Sequence, residues 1–185
     1  RSSMTVAREV SLKKTNDGYI LKNIPVAQLK KYQGKSTRKT IKVKAENQLI
    51  EKSQIDLSKA VVDLDLKKMT AGKYTFALKN ALGEELTFGI DNTTKELFVD
   101  RSKSGNTDFG NHFATAVSKA PLNKVYSNVK MKLVIDKTSI EIFFNDGEKV
   151  LTEIFFPNEH FSELYLSTDT KGSTLNIRGH QLNIN

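Results

Sequence analysis

Paired carboxylates are the first groups in this chain of 185 residues that could do chemistry. Two acids facing each other across a cleft can hydrolyse a glycosidic bond, one donating a proton and the other acting as nucleophile or base. The candidates are Asp63 with Asp65, Glu84 with Glu85, and Glu141 with Glu153. All fit solvated strand or turn positions, and nothing in the sequence marks one as buried with a raised pKa. No catalytic acid is assigned. Gly34-Lys35-Ser36 matches the tail of a phosphate-binding loop, but that pattern needs a glycine where Leu29 stands. His112, His160 and His180 do not pair at metal-ligand spacing, and each sits in or beside a polar segment. There is no Gly-x-Ser-x-Gly elbow for a serine nucleophile. With no cysteine, thiolate metal sites, disulfides and cysteine catalysis are excluded. Neither a metal nor a cofactor is expected. Asn92-Thr93-Thr94 is a glycosylation triplet in an expected turn. Such triplets arise often by chance, so it carries no weight.

The most unusual stretch runs from Val99 to Phe113. It leaves a strand and gathers glycines, amides, acids and aromatics in one loop. Asp100, Arg101, Ser104, Asn106, Asp108, Phe109 and His112 are the candidate contact residues. Amides and acids bond sugar hydroxyls, and an aromatic face stacks on a sugar ring. The competing reading is a large ordered loop whose side chains satisfy its own backbone. The lack of any Trp favours the second reading.

The formal net charge of +8 raises nucleic acid as a partner. The excess is nearly all lysine, whereas arginine is the better residue for reading phosphates and bases. The one dense stretch is Lys35, Arg38, Lys39, Lys42 and Lys44, and no nucleic-acid-binding signature accompanies it. Lysines on strand faces and edges that resist aggregation are the favoured reading. No apolar run approaches the ~18 residues that span a membrane. Ten Phe and five Tyr are too many for a disordered chain. The chain opens on Arg1 without the charged-then-apolar start of a signal peptide. The expectation is a piece cut from something longer.

Alternation dominates the elements that would position these residues. Val129–Ile135, Ser139–Phe144 and Val150–Phe156 follow one another as a meander, with a tight turn at Asn145-Asp146-Gly147 and a stop at Pro157. Ala60–Leu66 carries Asp63 and Asp65 on one face. Tyr74–Leu78, Glu85–Ile90 and Glu96–Asp100 come next, then Glu163–Ser167 and Ser173–Leu182. Many short strands at this spacing predict an all-β antiparallel sandwich or barrel. At the front, Thr5–Leu12 and Gly18–Leu21 read as a hairpin around Thr15-Asn16-Asp17-Gly18. Pro25–Tyr32 reads as a short helix stopped by Gly34.

Three segments carry a family resemblance. Leu97–Asn106 resembles a segment in the C-terminal module of glycoside hydrolase family 32, which includes levanases, inulinases, fructanases and invertases. Leu133–Thr152 is similar to the family's D-x-S-S-[IV]-E-[IV]-F-x-N-D-G signature, with Thr138 in place of a serine and Phe156-Pro157 as the strand end. Met4–Leu12 is similar to its M-[ST]-[VI]-P-R-E-L-x-L segment, with Ala7 in place of the proline.

The resemblance implies an all-β, two-sheet antiparallel β-sandwich, a concanavalin- or lectin-like jelly roll. It also implies that residues 1–33 are a connector, the tail of a preceding catalytic propeller, and that residues 34–185 are the sandwich. Family catalysis lies in the propeller, in a Trp-Met-Asn-Asp-Pro-Asn-like motif, an Arg-Asp-Pro motif and a Glu-Cys motif. This chain has no Trp, no Cys and no Asp-Pro pair. Asn16-Asp17 and Asn145-Asp146 are each followed by Gly and read as turns. No catalytic residue carries over. The expected function is a non-catalytic accessory module of a fructan-degrading enzyme, with the propeller as partner and an extracellular, periplasmic or cell-surface location. The alternatives are a fructan-binding module using the Asp100–Phe113 loop and, as a minor reading, a nucleic-acid binder. No membrane partner is expected.

Overall fold

The computed structural model describes residues 4–16, 18–110 and 112–184. Two six-stranded antiparallel sheets face each other. The first has the order β12-β11-β10-β5-β14-β3 and the second β4-β13-β6-β7-β8-β9. In chain order the strands are β1 (Arg8–Thr15), β2 (Gly18–Pro25), β3 (Gln33–Lys42), β4 (Glu46–Ile50), β5 (Ala60–Lys67), β6 (Lys73–Lys79) and β7 (Glu85–Asp91). The second half adds β8 (Glu96–Lys103), β9 (Ser118–Pro121), β10 (Asn128–Asp136), β11 (Ser139–Phe144), β12 (Lys149–Ile154), β13 (Glu163–Thr168) and β14 (Thr174–Leu182). The two expected meanders, β6-β7-β8 and β10-β11-β12, lie side by side in their sheets. The all-β, two-sheet antiparallel sandwich is the observed architecture.

Alternation explains the layers. Val62, Leu64 and Leu66 of β5 point inward while Asp63 and Asp65 point out. Leu133 and Ile135, Ile140 and Ile142, and Leu175 and Ile177 complete the inner surface of the first sheet. Phe76 and Phe88 stack at 5.6 Å on the second sheet, and both are fully buried. Burial of each such side chain contributes roughly 1.5–3 kcal/mol. Asn145, Asp146 and Gly147 all have positive φ (45°, 56° and 79°), as a tight turn between two strands demands.

Outside the two sheets, β1 and β2 form a two-stranded sheet of their own, in which Leu12 lies opposite Leu21. The turn expected at its tip includes Asp17, which lies outside the described residues. The short helix expected over Pro25–Tyr32 is present as a 3₁₀ helix over Ala27–Tyr32; Pro25 itself ends β2, and the chain enters β3 at Gln33. Gly34 therefore sits inside a strand and stops nothing. The 3₁₀ helix has no buried residue and no side-chain cap, so nothing extends it into an α-helix. No helix of the described residues is long and apolar enough to cross a membrane.

The dense basic stretch lies on β3 and just beyond it, and β3 is an edge strand. Lys35 donates to the Ser53 carbonyl at 2.9 Å and Lys39 to the Gln48 carbonyl at 3.1 Å. Charged side chains on an exposed edge discourage pairing with another chain.

Candidate functional site

Two of the three segments that carried the resemblance meet in space. Glu141 lies in the middle of β11, between Ile140 and Ile142, which face the core. Its own side chain therefore points to the outside of the first sheet. Yet it is only 5% exposed, because the N-terminal segment covers it. The Val6 N–H donates to it at 2.7 Å, and Arg8 grips the other oxygen through Nε at 3.1 Å and through Nη2. Arg8 Nη2 also donates to Thr152 Oγ1 at 3.0 Å, and the guanidinium lies 5.2 Å from the centre of the Phe143 ring. Charge-assisted bonds from two guanidinium nitrogens to one carboxylate oxygen, with the backbone N–H on the other, fix orientation as well as distance. The reading of Glu141 as a solvated strand position is thus corrected: the carboxylate is buried and fully partnered.

The β11–β12 turn is the second half of this latch. The Asn23 N–H of β2 donates to the Gly147 carbonyl at 3.0 Å, and Lys13 bridges Glu148 at 3.1 Å. At Gly147 the positive φ and the Asn23 backbone both exclude a side chain, because a Cβ would collide with the Asn23 carbonyl. Strand pairing had no means of revealing these contacts. The available signal was Glu141 itself, a lone acid in an otherwise apolar Ile-Glu-Ile-Phe-Phe run.

Glu153 is also not solvated. Its side chain is 11% exposed and pairs with Arg101 at 3.0 Å. Arg101 further donates to the Ile154 carbonyl at 3.0 Å and stacks 4.0 Å over the Phe113 ring. Through Arg101, the loop that follows β8 is fastened to β12 of the other sheet. Ser104 is fully buried and bonds the Arg101 carbonyl at 2.8 Å. The Asn106 N–H reaches the Phe156 carbonyl at 2.8 Å, and its side-chain oxygen accepts the Asp108 N–H at 3.2 Å. Asp100 accepts the Ser102 N–H at 2.9 Å. Phe109 packs on Phe113 at 4.5 Å and edge-on to Phe156 at 5.0 Å, while remaining 57% exposed. Among the seven candidate contact residues, Arg101 and Ser104 serve the loop's own structure. Asn106, Asp108, Phe109 and His112 remain exposed at its surface.

The other candidate acids are held by ion pairs or hydrogen bonds. Asp63 pairs with Lys132, and Asp65 with Lys67 at 3.2 Å. Glu84 accepts from the Asn80 side chain at 2.6 Å and from the Asn158 side chain at 2.5 Å and backbone at 2.9 Å. Burial works against its charge, but these bonds outweigh burial and hold the carboxyl below its ordinary value. A depressed carboxyl stabilises the fold above its unfolded pKa, and that stability is lost as pH falls through the folded value. The pH dependence of the melting temperature below about pH 4.5 is therefore expected to be shallower in Glu84→Gln than in the wild type. Equal slopes would show that the bonds to Asn80 and Asn158 do not shift Glu84. Among the described residues no cluster of three or more His, Cys, Asp or Glu could hold a metal ion.

The sequence matches the family described as "Glycosyl hydrolases family 32 C terminal" over residues 26–181. It is 31% identical over 169 residues to the levanase of Bacillus subtilis (strain 168), a match that covers 90% of this chain and 25% of the levanase. An extracellular exo-inulinase of Aspergillus niger is 30% identical over 120 residues, covering 63% of this chain and 22% of that enzyme. Among solved structures, the exo-inulinase from Aspergillus awamori superposes with a TM-score of 0.80 at 26% identity, over 98% of this chain and 36% of that one. The chain thus spans about a quarter of the length of the curated relatives it matches. The sandwich, the latch motifs and these matches agree: the chain belongs to the C-terminal domain family of the family 32 glycosyl hydrolases.

Proposed function

We propose that this chain is the accessory β-sandwich of a secreted fructan-degrading hydrolase of the levan, inulin or sucrose class. Its task is to hold and steady the catalytic propeller, and bond cleavage takes place in the propeller. The reading divides the chain into a connector over residues 1–33 and a sandwich over residues 34–185. The observation that carries it is the hairpin. Val10, Leu12, Leu21 and Tyr19 share one of its faces and are 58%, 69%, 53% and 67% exposed. A two-stranded sheet is marginal alone, and an apolar face of this kind asks for a covering partner. The hairpin is anchored to the sandwich through Arg8, Lys13 and Asn23. That leaves the face with Leu12 and Leu21 available to the propeller.

The test is gel filtration of this chain mixed with the separately produced catalytic part of its parent. Co-elution is expected, and the Leu12→Asp/Leu21→Asp double variant should weaken it by at least ~100-fold, since two buried apolar side chains become charged. Absence of co-elution in the wild type, or equal association of the variant, would overturn the reading. Fructose release by the chain alone would overturn the statement that cleavage takes place elsewhere.

A further inference from the structure

The outward face of the second sheet holds a hollow of about 170 Å³ across four neighbouring strands, β6 to β9. Lys73 and Thr75 come from β6, Thr87 and Asp91 from β7, and Phe98 and Asp100 from β8. The period of two puts these residues on one face. Gly89 lies between Thr87 and Asp91, and a Cβ there would press on Phe98 Cζ at 3.3 Å and on the Tyr74 backbone. Without that side chain the Phe98 ring lies down over the sheet as the floor, only 7% exposed. The Lys73 ammonium stands 4.5 Å over the ring.

The polar groups around this floor are largely free. Among the described residues, the hydroxyls of Thr75 and Thr87 make no hydrogen bond to protein. Asp91 uses one oxygen for the Thr93 N–H at 2.9 Å, and Asp100 uses one for the Ser102 N–H at 2.9 Å. The second oxygen of each remains. At the rim, Glu96 and Lys119 pair with each other at 2.9 Å. Two ammonium groups thus stand against three carboxylates. An anion would meet those carboxylates, whereas a sugar hydroxyl, which both donates and accepts, finds partners of each kind beside an apolar ring. At ~30 Å³ per water the hollow has room for roughly five or six waters, which suits one sugar ring and no more. The face belongs to the second sheet, whereas the hairpin is fastened to β11, β12 and the turn between them in the first.

We propose that this hollow binds one ring of a neutral saccharide, with Thr75, Thr87, Asp100 and Lys73 bonding its hydroxyls beside Phe98, whose ring face Lys73 covers. Only the choice of a fructose oligosaccharide as probe rests on the proposed function. The chemistry of the hollow stands apart from it.

The test is an amide NMR titration of the full chain with β-2,6-linked fructotriose. Saturable shifts are expected at Thr75, Thr87, Phe98, Asp100 and Lys119, with a Kd on the order of 1 mM, normal for so small a contact. Thr75→Val/Thr87→Val should weaken the fit at least tenfold, and Lys73→Met serves as a second variant should the first perturb the spectrum. Shifts confined to residues 104–113 would place the sugar on the loop and overturn the proposal. So would inorganic phosphate binding at these strands more tightly than the trisaccharide, variants that bind unchanged, or no shifts at ~20 mM sugar. A silent titration would leave the docking reading intact, because that is read from the hairpin variants alone.

Discussion

Glu141→Ala is expected to release the N-terminal segment while the sandwich stays folded. The carboxylate is the common acceptor for the Val6 N–H and for two nitrogens of Arg8, across 135 and 133 residues of chain. Removing one partner of a buried ion pair costs about 3–5 kcal/mol when the other charge stays trapped. Arg8 is not fully trapped, since its side chain is 22% exposed and can turn to water. The expected loss is therefore lower, about 2–3 kcal/mol, and falls on hairpin docking. Hydrogen-exchange protection over residues 8–25 should drop by roughly 30- to 150-fold, at about 1.4 kcal/mol per factor of ten. Protection in β6, β7 and β8 should hold. Glu141→Gln keeps one acceptor oxygen and should lose less. Unchanged protection in the hairpin of Glu141→Ala would show that the Asn23–Gly147 and Lys13–Glu148 contacts suffice.

Asn92→Ala is expected to destabilise the sandwich as a whole. Asn92 is fully buried at the start of the β7–β8 turn. Its amide donates to the carbonyls of Thr70 at 3.0 Å and Tyr126 at 2.8 Å, and its oxygen accepts the Tyr126 N–H at 3.1 Å. One side chain therefore ties together three connections that lie far apart in sequence. Alanine strands two carbonyls and one N–H, each at about 1–3 kcal/mol, and some water entry offsets part of the sum. A loss of about 3–5 kcal/mol should lower the melting temperature by roughly 6–15 °C. A fall of less than ~3 °C would show that water replaces the amide at little cost. Asn92→Asp should be no milder, since a carboxylate would face two carbonyls. The Asn-Thr-Thr triplet is consequently closed to glycosylation in the folded chain.

Legibility in the sequence followed burial for the strands inside the sheets, whereas β1, β2 and the edge strand β12, with no fully buried residue, are legible from their turns and alternation. Strands with one face in the core, such as β5, β7, β10 and β11, show their alternation plainly. The strands that the pattern left unmarked are β3, β4 and β9, and all three lie at sheet edges. β3 has no fully buried residue and is loaded with lysine, β4 has only five residues, and β9 ends in Pro121. An edge strand has a neighbour on one side only and little apolar cover, so its hydrophobic signal is weak. The loop from Asp100 to Phe113 was visible as unusual, but its composition was equally that of a sugar site and of a self-bonded loop. Ser104 buried against Arg101 and Phe109 stacked on Phe113 are contacts that composition does not encode.

Sequence alone determined the sandwich, the positive-φ turn at Asn145-Asp146-Gly147 and the family, because each rests on local pattern: a period of two, residues that tolerate left-handed backbone, and contiguous motifs. Tertiary structure alone decided what each polar group meets. It brought Arg8 to Glu141, Arg101 to Glu153 and Asn92 to Tyr126, and it laid Thr75, Thr87 and Asp100 around one hollow. The physical reason is that alternation specifies which face a residue takes, while the partner on that face is set by strand order and by the packing of segments distant in the chain.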